Sequence, residues 1–210
     1  MIAYRRKNAD RTKLPAVFLD RDGTIIHDRP GFYLTDPVKL RIYKTAFKAL
    51  KILSGLGYRL IVLTNQSGVG RGYMTLAGSI AVNLELRRRL AEKGIALEGI
   101  YFCPHLPSAG CVCRKPGGGL VREALKGHRL DLARSVVIGD KASDMRLADS
   151  FGLASVLVRT GHGRSQLLKH PELAAGRAVK KDLLQAALWV AKLRPKPRSA
   201  VSRGADSGSR

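Results

Sequence analysis

The sequence predicts an α/β fold: a parallel, Rossmann-like sheet in three layers, with helices on both faces. Three observations carry that expectation. Short runs of consecutive apolar, often β-branched residues, such as VFL at 17–19, RLIVL at 59–63 and SVVI at 135–138, suit strands covered on both faces. Between these runs the apolar residues switch to helical spacing, and strand–helix–strand repetition implies parallel pairing through right-handed crossovers. Three of the strands also end in polar residues, at Asp20, Thr64-Asn65 and Asp140, on the edge where such sheets bind ligands.

Each element has its own signal. The strand at 17–19 runs into the polar loop HDRPGFYLTDP, and a helix follows over about residues 44–55, stopped by Gly55 or Gly57. After the strand at 59–63, Thr75 caps a long helix whose Leu76, Ile80, Leu84 and Leu90 fall near one stripe, and Gly94 ends it. A short strand at 99–102 leads into a cysteine loop. Helices are expected at 120–126 and 144–151, strands at 135–138 and 154–158, and a closing helix at 183–193 with Asp182 as its cap. Trp189 on that last helix is read as packing, and there is no internal repeat.

The chain of 210 residues accommodates one substantial domain, expected at 15–191, between a basic N-terminal extension at 1–14 and a disordered basic tail at 192–210. No apolar run reaches the ~18 residues of a membrane span, and no apolar segment follows the charged N-terminus, so a cytoplasmic protein with no membrane partner is expected. The formal net charge is +22, of which the two ends carry +4 and +5, so basicity belongs to the whole molecule. That charge suits a small anionic substrate or nucleic acid; without aromatic-rich basic motifs, nucleic acid is the less favoured partner. Three cysteines within eleven residues cannot all pair as disulfides and point to metal chemistry.

The candidate chemistry lies at the strand ends. Asp20 and Asp22 follow a buried strand, where carboxylates are rare unless paired or bound to a cation. Alternation by two sets them on one side of an extended chain, and Gly23 permits a tight bend. Asp140 ends a second strand, with Asp144 one helical turn on. Asp20, Asp22 and Asp140 are hard oxygen ligands suited to Mg²⁺. Thr64 offers a hydroxyl and Asn65 an amide to a phosphoryl oxygen, and Lys115 adds a fixed positive charge. Cys103, His105, Cys111 and Cys113, in the pattern C-P-H-x₅-C-x-C, form a closed tetrahedral set for a structural Zn²⁺; three reduced cysteines packed in a loop are the alternative. His27, Asp28 and Arg71 are candidates for substrate contact or solvated loop positions. His128, His162 and His170 are read as surface residues.

In order, DRDGT, LTN, RKP and GDKxxD resemble the motifs of the haloacid dehalogenase (HAD) superfamily of phosphatases, over about residues 15–190. TNQSGVGRG and CPHLPSAGCVCRKP resemble its zinc-bearing subfamily of D-glycero-D-manno-heptose 1,7-bisphosphate phosphatases and histidinol-phosphate phosphatases. The resemblance implies a HAD-like fold without a large cap domain, with a zinc-stabilised loop that presents Arg114 and Lys115. It implies Asp20 as nucleophile, Asp22 as general acid and base, and Thr64 and Lys115 stabilising the transferred phosphoryl group. Mg²⁺ would be held by Asp20, Asp140 and the backbone carbonyl of Asp22, and Asp28, Asn65, Gln66, Ser67 and Arg114 would contact substrate. The implied reaction removes the 7-phosphate of the heptose bisphosphate; histidinol-phosphate phosphatase and, further off, nucleic-acid 3′-phosphatase are the alternatives. Three departures fall in substrate-contacting loops: Gly117-Gly118-Gly119 after Lys-Pro, Tyr43-Lys44 where the family opens its first helix with Pro-Gly, and a slightly longer loop after DGT. A monomer acting on a small phosphorylated sugar is expected.

Overall fold

In the computed structural model, residues 1–6, 12–28 and 31–193 are described. The elements in chain order are β1 (Ile2–Arg5), β2 (Ala16–Leu19), α1 (Lys44–Gly55), β3 (Arg59–Asn65), the one-turn α2 (Ser67–Gly70), α3 (Leu76–Ala91) and β4 (Gly99–Cys103). They continue as α4 (Gly119–Gly127), β5 (Val136–Gly139), α5 (Ala142–Ser150), β6 (Ala154–Val158), α6 (Gly163–Lys169), β7 (Ala178–Lys180) and α7 (Leu183–Leu193). The strands form one sheet in the order β1-β4-β3-β2-β5-β6-β7. Every pair is parallel except β1–β4.

The apolar runs become strands because both sheet faces are covered. Val17 stands beside Leu60 and Val136, and Leu19 beside Val62 and Ile138. Side chains alternate between faces along each strand. Val17, Leu19, Leu60, Val62 and Ile138 pack with α1, α3 and α7, through Leu50, Leu53, Leu86 and Val190 among others. Ala16, Phe18, Ile61, Leu63 and Val137 point the other way, onto Leu120 and Val121 of α4 and Leu147 of α5. The three expected layers are therefore present. Thr75 caps α3 by accepting the Gly78 N–H at 2.9 Å, and Asp182 caps α7 by accepting the Gln185 N–H at 2.9 Å.

The N-terminal stretch grouped above as an extension supplies an edge strand. Ile2–Arg5 pairs antiparallel with β4, and Arg87 of α3 lies over the Tyr4 ring, 4.1 Å from its centroid. β7 and α6 carry too little periodicity to be anticipated from sequence. The basic tail expected from 192 lies, past residue 193, outside the described residues. His128 is buried rather than exposed, edge-on to Tyr101. Among the described residues, the connections leaving β2 and β3 contain only short turns and α2 before the next long helix, with no cap domain among them. Among the described residues, no helix is long and apolar enough to cross a membrane.

Candidate active site

The chain leaves central β2 in one direction through β3 and β4, while β5, β6 and β7 extend the other way. The crevice beyond the carboxyl ends of β2 and β5 is thus the topological switch point, where open α/β sheets place ligands. Asp20 and Asp140 sit there, both buried. The bend after Asp20 closes through Ile25 and Ile26 N–H groups donating to the Arg21 carbonyl and Gly23 N–H donating to that of Ile26. Asp22 pairs with Ile26 in an isolated bridge whose hydrogen bonds use the flanking amides and leave the Asp22 carbonyl outside it. Gly23 has φ +83°, and a Cβ there would fall 2.1 Å from Asp140 Oδ2, so the bend requires glycine.

Lys115 enters from the β4–α4 connection and is buried to 4% exposure. Its ammonium donates to Asp20 Oδ1 at 2.8 Å and to the Leu63 carbonyl at 2.6 Å, and pairs with Asp144 Oδ1 at 2.6 Å. Asn65 holds the same residue by its backbone: Nδ2 donates to the Lys115 carbonyl at 3.1 Å, and Oδ1 accepts the Lys115 N–H at 3.0 Å. Both ends of the amide expected on a phosphoryl oxygen are therefore engaged in fixing Lys115. Thr64 donates to Asp22 Oδ2 at 3.3 Å, and Gln66 Nε2 reaches both Asp22 Oδ2 and Thr64 Oγ1 at 2.7 Å. Ser67 opens α2 beside them. Asp28 lies 3.1 Å from His162 Nε2 and 3.5 Å from Lys141 Nζ, while Arg114 Nη1 reaches the His105 carbonyl at 3.5 Å.

Burial raises the Asp20 carboxyl, but the ammonium groups of Lys115 and Lys141 outweigh it and hold it below its ordinary range. Burial likewise works against a charged Lys115, and Asp144 and Asp20 override it, keeping the ammonium. Asp140 differs. Burial pushes it well above the usual carboxylate range, only partly offset by Lys141. Its Oδ2 accepts the His162 N–H at 2.7 Å, but its Oδ1 is buried with no hydrogen-bond partner among the described residues. Lys141 Nζ comes no nearer than 3.7 Å to that oxygen and 3.8 Å to Asp20 Oδ2. An orphaned carboxylate oxygen facing a second carboxylate fits a small, hard cation such as Mg²⁺. Asp144 lies within the same acidic cluster, but its pairing with Lys115 and its bond from the Lys141 N–H (3.1 Å) occupy it.

Sequence reasoning left Arg21, Lys141, Asp144 and His162 without roles. The GDKxxD spacing was the available signal for Lys141 and Asp144. His162, read as surface, faces Asp28, which no local pattern reveals.

The second cluster is the cysteine loop. Cys103 Sγ lies 3.6 Å from both His105 Nδ1 and Cys111 Sγ, and Cys113 Sγ lies 3.2 Å from His105 Nδ1 and 3.5 Å from Cys111 Sγ. A tetrahedral zinc with bonds of about 2.3 Å to sulfur and 2.0 Å to nitrogen sets donors about 3.5–3.8 Å apart, so three of these four edges match such an ion and the Cys113–His105 edge, at 3.2 Å, would open slightly around it. Burial carries the Cys103 thiol up to about 12. For Cys111, hydrogen bonds from Cys113 and the Arg114 backbone outweigh burial and bring it to about 6.

Comparison with known proteins agrees with this geometry. A HAD-hydrolase-like family model matches residues 112–186. The D-glycero-beta-D-manno-heptose-1,7-bisphosphate 7-phosphatase of Helicobacter pylori is 46% identical over 131 residues, 62% of this chain and 74% of that protein. The Vibrio cholerae protein of the same name is 39% identical over 155 residues, covering 70% and 82%. The crystal structure of D,D-heptose 1,7-bisphosphate phosphatase from B. bronchiseptica, complexed with magnesium and phosphate, superposes with a TM-score of 0.78 at 32% identity, over 86% of this chain and 100% of that one. With its acids at the switch point of a HAD-like sheet and this identity to proteins matched over most of their length, the chain belongs to the HAD-like hydrolases, in the family of the D-glycero-D-manno-heptose 1,7-bisphosphate 7-phosphatases.

Proposed function

We propose that the protein is a Mg²⁺-dependent phosphatase that removes the 7-phosphate of D-glycero-D-manno-heptose 1,7-bisphosphate through an aspartyl-phosphate on Asp20. The observation that carries the reading is the pair Asp20 and Asp22 at the end of β2, with Lys115 Nζ 2.8 Å from Asp20 and the orphaned Asp140 oxygen opposite. The names of the relatives support the choice of substrate.

Asp20 attacks phosphorus, and the bond to the sugar oxygen breaks while Asp22 gives that oxygen its proton. A water then attacks the same phosphorus, yielding its proton to Asp22, and the bond to Asp20 breaks to restore the carboxylate and free phosphate. Lys115, anchored by Asn65 and Asp144, holds Asp20 ionised and offers positive charge to the phosphoryl oxygens, with the Thr64 hydroxyl beside it. Magnesium, held by Asp20, Asp140 and the Asp22 carbonyl, would neutralise repulsion between the anionic nucleophile and the phosphate. Zn²⁺ on Cys103, His105, Cys111 and Cys113 would stiffen the loop from which Lys115 projects. Asp28, Ser67 and Arg114 remain proposed substrate contacts, and Gln66 reaches substrate only beside its bond to Asp22.

Phosphate release with Mg²⁺ from both heptose 1,7-bisphosphate anomers, histidinol phosphate and a 3′-phosphorylated oligonucleotide tests the proposal. The highest kcat/KM is expected on a heptose bisphosphate, and Asp20→Asn should lower kcat by at least about 10³-fold. A preference for either of the other substrates would sink the substrate assignment. Substantial turnover by Asp20→Asn would sink the nucleophile.

A further inference from the structure

Arg21 is the largest fully buried side chain among the described residues, and the reaction as written gives it no part. A guanidinium at 1% exposure is costly to bury unless charged and polar partners satisfy its donors. Those partners are particular ones. Nε donates to Asp22 Oδ2 at 3.1 Å and an Nη2 hydrogen to Asp22 Oδ1 at 3.0 Å, a two-pronged grip that fixes both the plane and the distance of the carboxylate. Nη1 donates to Asn83 Oδ1 at 2.8 Å. Asn83 is fully buried on α3, a helix otherwise remote from the chemistry. A polar chain therefore runs from the helix layer, through an arginine with nowhere else to turn, to Asp22.

We infer that Arg21, braced by Asn83, is the positioning residue for both proton transfers of Asp22. This rests on the phosphatase reading and adds to it. A single-prong or mobile partner would let the Asp22 carboxylate rotate; the fork holds it in one plane and faces it with positive charge whenever it has given up its proton. Arg21 acts through Asp22 and is not assigned any contact with the phosphate.

The inference separates from a structural role by leaving group. Forming the aspartyl-phosphate from a sugar ester needs a proton on the departing oxygen, whereas nitrophenolate or acetate leaves without one. Arg21→Met, Arg21→Lys and Asn83→Leu are compared with the wild type by rapid mixing, with the heptose bisphosphate and with 4-nitrophenyl phosphate, acetyl phosphate serving as a second activated donor. Arg21→Met is expected to slow transfer from the sugar ester about 10²-fold. The first burst of nitrophenolate should stay within about threefold of wild type, while later turnovers slow because hydrolysis of the aspartyl-phosphate again uses Asp22. Arg21→Lys, charged but unable to fork, and Asn83→Leu, which removes only the brace, should show the same split at smaller size, and they decide the matter if Arg21→Met does not fold. Equal losses on sugar and activated esters, or no loss on either, would overturn the inference. If the wild type hydrolyses neither class of ester, the phosphatase reading itself fails.

Discussion

Replacing Lys115 by methionine removes one ammonium and leaves the volume of the side chain nearly unchanged. Its effect can be worked out from the site. Lys115 Nζ pairs with Asp20 at 2.8 Å and with Asp144 at 2.6 Å, and all three side chains are less than 5% exposed. At an effective dielectric of about 20, unit charges at such a distance attract by about 6 kcal/mol, most of which desolvation offsets. Removing one partner of a buried pair leaves the other charge uncompensated and costs about 3–5 kcal/mol. The two carboxylates, left with only Lys141 at 3.8 Å from Asp20 and with oxygens within 4.8 Å of each other, add repulsion of about 3 kcal/mol or relieve it by taking up a proton. Urea unfolding at pH 7 in magnesium-free buffer should therefore show Lys115→Met less stable by about 3–5 kcal/mol, and phosphate release should fall by at least about 10²-fold. Adding Asp144→Asn removes one stranded charge, so the double variant should be more stable than Lys115→Met alone, by at least about 1 kcal/mol. A loss under about 1 kcal/mol for Lys115→Met, or an Asp144→Asn change that destabilises the Lys115→Met background, would falsify the view that this lysine neutralises two buried acids.

Two further predictions concern the metal loop and the surface. Chelation should release one zinc per chain and lower Tm by about 5 °C or more, and Cys111→Ser should purify with less than about half the metal; unchanged metal content and melting would remove zinc from the loop. On α3, Arg88 and Arg89 bond to Glu85 and hold its carboxyl at about 2 against an ordinary 4.5, while Arg89 also donates to the Leu40 carbonyl. A folded value below the unfolded one gives stability that is complete above about pH 4.5 and lost as pH falls toward 2. Glu85→Gln should therefore cost less than about 1 kcal/mol at pH 7, because solvent screens the pairs, and the gap from wild type should close between those two pH values; a gap that persisted in acid would point to packing instead.

Much of the site was legible because its residues follow strands, and strands announce themselves by composition. Asp20, Thr64 and Asp140 each come directly after or at the end of an apolar run, and parallel pairing brings those ends to one edge. Cys103, His105, Cys111 and Cys113 were legible for a different reason, since soft donors so close along the chain have few other uses. Asn65 was seen at the right edge, but its bonds to the Lys115 backbone were not legible, because they run to a lysine fifty residues on. β1 was missed because two of its four residues are exposed, the other two only half-buried, and they show no clean alternation.

By itself, then, the sequence determined the five strands β2 to β6, the long helices that cover them, the acids at the sheet's edge and the four metal-type donors, because each depends on periodicity or spacing within a few residues. Tertiary structure alone decided which charges meet. Arg21 lies between the two aspartates in the chain, yet only the packing of α3 shows that it is buried and braced by Asn83, 62 residues away. Asp144 stands one helical turn after Asp140 in the sequence, but only the fold brings the Lys115 ammonium against it. His162, read as a surface residue, keeps 31% of its side chain exposed, but its loop folds back to give Asp140 an N–H and to set its ring against Asp28. Long-range ion pairs carry no local signature, because their energy depends on distance and burial that no stretch of sequence contains.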